Sequence, residues 1–332
     1  MKKLMPLILL LAAFSLSAKP AKMPEWVQNY RKIYPDSEYL CQRGSGKTAA
    51  EAQTDAAAAL ARYFKMNVSA NLSTAMTSIS GAGGISEETK VIDDVRVMSQ
   101  VDFFGLEYTE PYYFKKEKKW YCVAFINREN AWIQYRPQIE ISKNTFEGLL
   151  KNVGRETDSF TKLKLLKTVW AAGKDLTEKL EYARIISPTN EAAYGTVREH
   201  FSEIPVIFET EKSKCKTFVT VRGDYSEIFS TAISSVLTDC GFGIVKTFNE
   251  AAYIVEMAIE DNLSGNLPLM IMPTVNIKII NKNNKTVFSY ETSSQEKTLA
   301  YSLETAQRKA YPKLATEIKA VLENEFKTAL KL

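Results

Sequence analysis

One histidine, His200, occurs in 332 residues, and that scarcity excludes any metal site built from several imidazoles. Four cysteines are too few for a disulfide-dense scaffold. Glycine and proline, at 14 and 11 residues, are too sparse for a fibrous or low-complexity chain. Neither sign of charge dominates: 43 basic side chains stand against 39 acidic ones, a net +4. No lysine- or arginine-rich block occurs, which argues against a dedicated nucleic-acid binder. After the first eighteen residues no apolar run approaches the ~20 residues that a spanning helix needs. What remains, 45% apolar and 25% charged residues, is the make-up of a globular protein with room for two domains.

The chain begins with Lys2 and Lys3, an apolar stretch from Leu4 to Phe14, and a cleavage-site pattern at Leu16-Ser17-Ala18. This reads as a signal peptide over residues 1–18. The first cysteine is Cys41, so no lipid-accepting cysteine follows the cleavage point. Residues after 18 are expected to be exported, as a periplasmic or outer-membrane-associated protein without a membrane span.

Hydrophobic spacing then predicts an α+β protein: two small helix-on-antiparallel-sheet domains, at 23–135 and 205–332, joined by a helical connector at 136–204. In the first, a strand at Ser37 to Arg43 runs into Gly44-Ser45-Gly46 and a helix. Thr48 and Glu51 form a capping box for that helix, and Ala52, Ala56, Leu60 and Phe64 mark one of its faces. From Met66 to Asn127 the pattern turns to strands, the last being the doubly apolar WYCVAFI at 120–126. In the connector, Ser187-Pro188 ends the second helix. The C-terminal part reads as a strand at 218–221, a helix at 225–238, and alternating strands through Ile259, Ile279 and Tyr290. A long helix closes the chain, and Pro312 is expected to kink or split it. Ala52, Gln53, Ala56, Leu60 and Ala61 recur as Ala306, Gln307, Ala310, Leu314 and Ala315 at a constant offset of 254. Two readings fit: a duplicated unit, or a shared demand for a small-residue helix face on a sheet.

Candidate chemistry is thin. Gly46-Lys47-Thr48 suggests a phosphate loop, but the pattern needs glycine where Cys41 stands; a tight turn into a capped helix explains it. His200 lies in the charged stretch TVREHFSE, and no Gly-x-Ser-x-Gly elbow occurs, so a surface histidine is expected. Asp93-Asp94 on a strand would point to opposite faces. Arg222-Gly223-Asp224 reads as a strand-to-helix turn. Lys162, Lys164 and Lys167 read as a solvated helix face. Cys215 and Cys240 bracket a strand and a returning helix, which predicts a disulfide between them. The register of Cys41 and Cys122 is left open. Phe103, Phe104, Tyr112 and Tyr113 belong to a dense aromatic segment. Hairpin pairing explains most of it, and an exposed remainder would form a partner-binding surface.

The features at 25–135 resemble the LPP-twenty lipoprotein family and the N-terminal domain of the flagellar assembly protein T. They are a strand, Gly-Ser-Gly, a helix faced by Ala52, Ala56, Leu60 and Ala61, and VDFFGLEYTEPYYFKKEKKWYCVAFINRENA. The segment FNEAAYIVEMAIED with its hairpin and closing helix is similar to periplasmic α+β domains of that flagellar protein and of the N-terminal part of the translocation protein TolB. The resemblance implies an envelope assembly protein and supplies no catalytic residues. The expectation is therefore a non-enzymatic envelope protein, an assembly or scaffold component that binds other envelope proteins, with no cofactor and no nucleic-acid partner. The alternatives are a secreted carboxylate-dependent hydrolase and a glycan or small-ligand binder.

Overall fold

The computed structural model describes residues 23–83, 104–224, 227–265, 267–294 and 296–330, without the side chains of 78–83, 325 and 327–330. Residues 1–18, read above as a signal peptide, lie outside the described residues, as do Asp93-Asp94 and Phe103. The fold is α+β, with two compact units. The first holds residues up to Ala61 together with Gly105–Arg128, and the second takes Arg62–Phe104 and Glu129 onward.

The first unit begins with helix α1 (Glu25–Ile33), which buries Trp26 and Val27. Strand β1 (Tyr39–Gly46) leads directly into helix α2 (Ala49–Gly83). Strands β2 (Glu107–Tyr108), β3 (Tyr112–Phe114) and β4 (Lys119–Asn127) complete an antiparallel sheet. β4 lies at its centre, with β1 on one side and β2 and β3 on the other. That placement explains why WYCVAFI is apolar on both faces. Cys41 and Val123 share one face with Trp26 and Val27. Leu40, Cys122, Ala124 and Ile126, all buried, project from the other.

The N-terminus of α2 follows from the sequence. The Thr48 hydroxyl accepts from Glu51 N (3.1 Å), and the Glu51 carboxylate reaches back to Lys47 N (2.7 Å), so Gly46-Lys47-Thr48 is a capped turn. Ala52, Ala56 and Leu60 are fully buried. Gly44 lets the helix approach the strand: a Cβ there would stand 2.1 Å from Ala56 N and 2.5 Å from Ala52 O. The strand expected just after Met66 is helical instead, through Gly83. The fourfold spacing of Phe64 carries on through Val68 and Met76, which are buried, and this stripe outweighs the low helix propensity of the Ser, Thr and Asn between them.

In the second unit, helices α3 (Arg128–Arg155), α4 (Ser159–Ile186) and α5 (Gly195–Ser213) run in succession. α4 stops at Ile186, one residue before Ser187-Pro188, as expected. The sheet that follows holds β5 (Lys216–Arg222), β6 (Gly243–Ile244), β7 (Tyr253–Ser264), β8 (Leu269–Asn281), β9 (Thr286–Ser293) and β10 (Thr298–Ala300). Helix α6 (Ile228–Asp239) connects β5 to β6, and α7 (Leu303–Leu330) closes the chain. The order is β10-β8-β7-β5-β6, with β9 also on β8. The sheet is mixed: β5 runs parallel to β6 and β7, and the other pairings are antiparallel. α6 supplies the crossover that parallel neighbours require.

Tyr253, Val255, Met257 and Ile259 of β7, and Ile271, Val275, Ile277 and Ile279 of β8, are buried on one face. The stripe Ala306, Ala310, Leu314, Ile318, Leu322 and Phe326 of α7 is buried as well, and Phe326 stacks on Phe288 of β9 (4.9 Å). Pro312 does not split α7, which runs as one element from Leu303 to Leu330. It sits on the exposed side of the helix, where the carbonyl it leaves unpaired can be solvated.

The offset of 254 survives in three dimensions. Gly46 and Ala300 end their strands. Thr48 and Ser302 each accept from the backbone three residues on, at Glu51 and Thr305. Ala52 N and Ala306 N donate to the carbonyls of those same cap residues.

Candidate functional site

The structure distributes the sequence candidates as follows. Phe104 is fully buried, between Phe64 (5.6 Å), Tyr135 (4.9 Å) and Tyr182 (6.2 Å). It is core, and it cannot present itself to a partner. Tyr112 is half-buried against the Cys41 cluster. Tyr113 is exposed beside Trp120, with ring centroids 5.4 Å apart, and Tyr108 is exposed too. The outward remainder of the aromatic segment is therefore Tyr108 and Tyr113. Sequence spacing cannot separate them from Phe104, because the rings that cover Phe104 come from Tyr135 and Tyr182, far along the chain.

His200 is exposed. Asp224 of Arg222-Gly223-Asp224 caps α6: its carboxylate accepts from Ile228 N (3.1 Å) and Ser230 N (2.9 Å). Gly223 adopts a φ of 84°, so the motif is a strand-to-helix turn. Lys162 and Lys164 are not simply solvated. Lys162 pairs with Glu211 (3.3 Å), and Lys164 bonds the Val287 carbonyl (3.3 Å) and lies over the Phe160 ring (4.9 Å). Among the described residues, no group of three His, Cys, Asp or Glu side chains is placed to hold a metal ion. No helix among them is long and apolar enough to cross a membrane.

The four cysteines are free and buried, so the expected Cys215–Cys240 disulfide is not formed. The helix does return as anticipated, since Lys216 pairs with Gly243. The Cys215 thiol, however, donates to the carbonyl of Glu211 in α5 (3.5 Å). Cys41 and Cys122 are kept apart by register: Cys41 faces Phe125, whereas Cys122 faces Gly44. That odd offset puts them on opposite faces of the sheet. Burial pushes the Cys41 thiol up to about 11 and the Cys215 thiol up to about 12, so thiolate is scarce at both. Without reductant, all four thiols should titrate with a thiol reagent in denaturant and react hardly at all in the native protein. Fewer than four in denaturant would reveal a bridge.

The densest polar constellation in the second unit is one that sequence reading missed. Asp158 is the N-cap of α4, and one carboxylate oxygen accepts from Thr161 N and Thr161 Oγ1 (both 2.9 Å). The other accepts from Tyr253 Oη (3.0 Å) on β7 and Asn281 Nδ2 (2.9 Å) on β8. Tyr253 Oη in turn accepts from Phe160 N (2.8 Å). One carboxylate thus ties a helix start to two strands. The capping stretch Asp158-Ser159-Phe160-Thr161 was visible in the sequence, but its strand partners were not. Burial pushes the Asp158 carboxyl up, and the donors from Asn281, Thr161 and Tyr253 outweigh this and hold it below its ordinary 3.8. Burial, aided by the neighbouring charge of Asp158, raises the Tyr253 phenol, which stays a proton donor. A depressed folded-state value stabilises the fold above the ordinary value, and this contribution disappears as pH falls through the folded one. Replacing Asp158 by Asn should therefore lower stability near neutrality. It should also flatten the loss of stability below pH ~4, as read from urea midpoints across pH.

A second buried cluster joins α4, the single helical turn at Pro188–Glu191, and α5. Glu181 is fully buried, between Arg184 Nη1 (3.2 Å) and Arg198 Nη1 (2.8 Å). Glu191 accepts from Arg198 Nε (2.8 Å) and Arg184 Nε (3.4 Å). Two carboxylates and two guanidiniums balance each other.

The broadest surface feature is the second face of the mixed sheet. Register places Thr220, Glu256, Lys278 and Ser289 in one row and Arg222, Ala258, Asn276 and Glu291 in the next. Glu256, Lys278, Ser289, Arg222 and Glu291 are all exposed. Asn276 donates to Glu291 (3.0 Å), and Asn262 bridges to Thr274 (2.8 Å). The face is mostly polar and of mixed charge, with half-buried Phe218, Ile254 and Ile280 in the row at one end.

No known family model matches this chain, and no curated protein does. Among solved structures it is similar to a secreted protein of Helicobacter pylori, at 12% identity and a TM-score of 0.34, covering 87% of this chain and 97% of that one. It is also similar to a minor lipoprotein of Acinetobacter baumannii, at 13% identity and a TM-score of 0.25 over 34% of this chain and 94% of the other. A third likeness is to a lipoprotein of Caulobacter crescentus, at 14% identity and 0.25 over 36% and 93%. At TM-scores this low the likeness assigns no function.

Proposed function

We propose that this chain is an exported cell-envelope protein that works by binding other envelope proteins rather than by catalysis. The observation that carries this reading is the uncovered face of the mixed sheet. It is several strands wide and lined by exposed side chains of both signs, a surface suited to a protein partner with complementary charges. The leader-like first eighteen residues support export. The element order strand–helix–three strands in the first unit supports a place near the LPP-twenty lipoproteins.

The test is photo-crosslinking in cells, with a crosslinkable residue at Glu256 or Lys278 and, as a control, at the exposed helix position Glu304. Discrete heavier species in the envelope fraction, from the two sheet positions alone, are expected. Monomer only at both would overturn the reading, as would a hydrolytic activity of the purified protein that carboxylate substitutions abolish.

A further inference from the structure

At one end of the mixed sheet the polar face gives way to apolar side chains. Leu263 lies near the end of β7, Leu267 in the connection to β8, Leu299 in β10, Tyr301 just after it, and Leu303 begins α7. All five are exposed, Leu267 at 70% and Tyr301 at 82%. Register brings them together. Leu263 pairs with Ile271, Met270 with Leu299, and Leu269 with Ala300, the residue before Tyr301.

These side chains occupy both faces. Leu263 shares a face with Ile271, which is buried beside Ala306 and Ala310 of α7, whereas Leu299 lies with Met270 on the opposite, mostly polar face. A sheet with one covered face has no packing reason to be apolar on both sides at its tip. Of the flanking charges, Lys313 pairs with Glu296 (2.7 Å) and Arg308 with Glu304 (2.8 Å), and Lys297 and Lys309 are exposed. Leu263 and Leu299 themselves sit in the ladders that join β7, β8 and β10, so their paired backbone groups add little to the cost of entering an apolar medium.

We propose that this crown inserts into the interfacial layer of a lipid bilayer. An apolar tip on two faces would need an enclosing cavity in a protein partner. A bilayer surrounds it without one, and the tyrosine suits the wet boundary of the hydrocarbon. The depth required is only ~5–10 Å. The inference goes beyond the protein-binding reading and does not depend on it.

The experiment is flotation of the purified protein with vesicles of phosphatidylethanolamine and phosphatidylglycerol. Co-flotation that persists at high salt is expected. The double substitution Leu267→Ser with Tyr301→Ser should reduce the bound fraction about tenfold or more, with an unchanged thermal melt. Val206→Ser, at an exposed apolar site on α5, should leave binding intact. Absence of flotation, flotation indifferent to the double substitution, or loss of flotation at high salt would each overturn the proposal. So would a dimer that the double substitution dissociates in the absence of vesicles, since the crown would then be a contact between two copies.

Discussion

Replacing Gly44 by alanine should cost the first unit about 3 kcal/mol or more, a large effect for a single methyl group. The added Cβ would meet Ala56 N at 2.1 Å, Ala52 O at 2.5 Å and Ala56 Cα at 2.6 Å. All three are backbone atoms of α2, so no side chain can swing aside. The helix must lift off β1, and in doing so it uncovers the packing of Ala52, Ala56 and Leu60, all of them fully buried. Urea unfolding followed by tryptophan emission, with Trp26 and Trp120 in this unit, measures the loss. Gly148 of α3 is the matched control: nothing lies within 4 Å of a Cβ there. Gly148→Ala should be neutral or stabilising by up to ~1 kcal/mol, since alanine is the better helix former. Equal midpoints for Gly44→Ala and wild type would show that the close approach is not real.

Glu181→Ala should destabilise the second unit by roughly 3–5 kcal/mol, the usual cost of leaving one side of a buried ion cluster unmatched. Glu181 is fully buried, and both its neighbours, Arg184 and Arg198, are shared with Glu191. After the substitution two guanidiniums face one carboxylate. For a unit of this size the melting temperature should fall by roughly 10 °C. Glu181→Gln keeps the volume and removes only the charge, and should cost less. Removing Arg198 as well, in a Glu181→Leu, Arg198→Met protein, should recover part of the loss, because a charge-free pair avoids desolvation. A melting temperature for Glu181→Ala within 1–2 °C of wild type would mean that the cluster contributes little.

Local signals explain which parts of the fold could be read in the sequence. Thr48 and Glu51 announced the start of α2, Ser187-Pro188 the end of α4, and the alternation of Val255 with Glu256 the face of β7. The end of α2 was missed because Ser, Thr and Asn between Met66 and Gly83 obscured a spacing of four that Phe64, Val68 and Met76 still keep. The candidate surfaces were harder to find. Phe104 and Tyr113 are alike in sequence, and only coverage by Tyr135 and Tyr182 makes one core and leaves the other exposed. The Asp158 latch needed Tyr253 and Asn281, some hundred residues away. The apolar crown depends on β10 pairing beside the β7–β8 turn, a register that no local pattern encodes.

The strand-to-helix step that occurs at Gly46–Ala61 and again at Ala300–Ala315 behaves as an interchangeable part with one adjustable dimension. Cap, first turn and buried stripe agree position by position, so either copy carries what is needed to launch a helix across a sheet. The copies differ at the end of the strand, where Gly44 and Gly46 in one correspond to Thr298 and Ala300 in the other. Those side chains act as spacers: without them the helix backbone rests on the strand, since a Cβ at 44 would stand 2.1 Å from Ala56 N and one at 46 would stand 2.7 Å from Ala52 N. Grafting residues 300–315 in place of 46–61 should therefore lift the transplanted helix, and restoring glycine at 46, with Gly44 kept, should set it back at its original height.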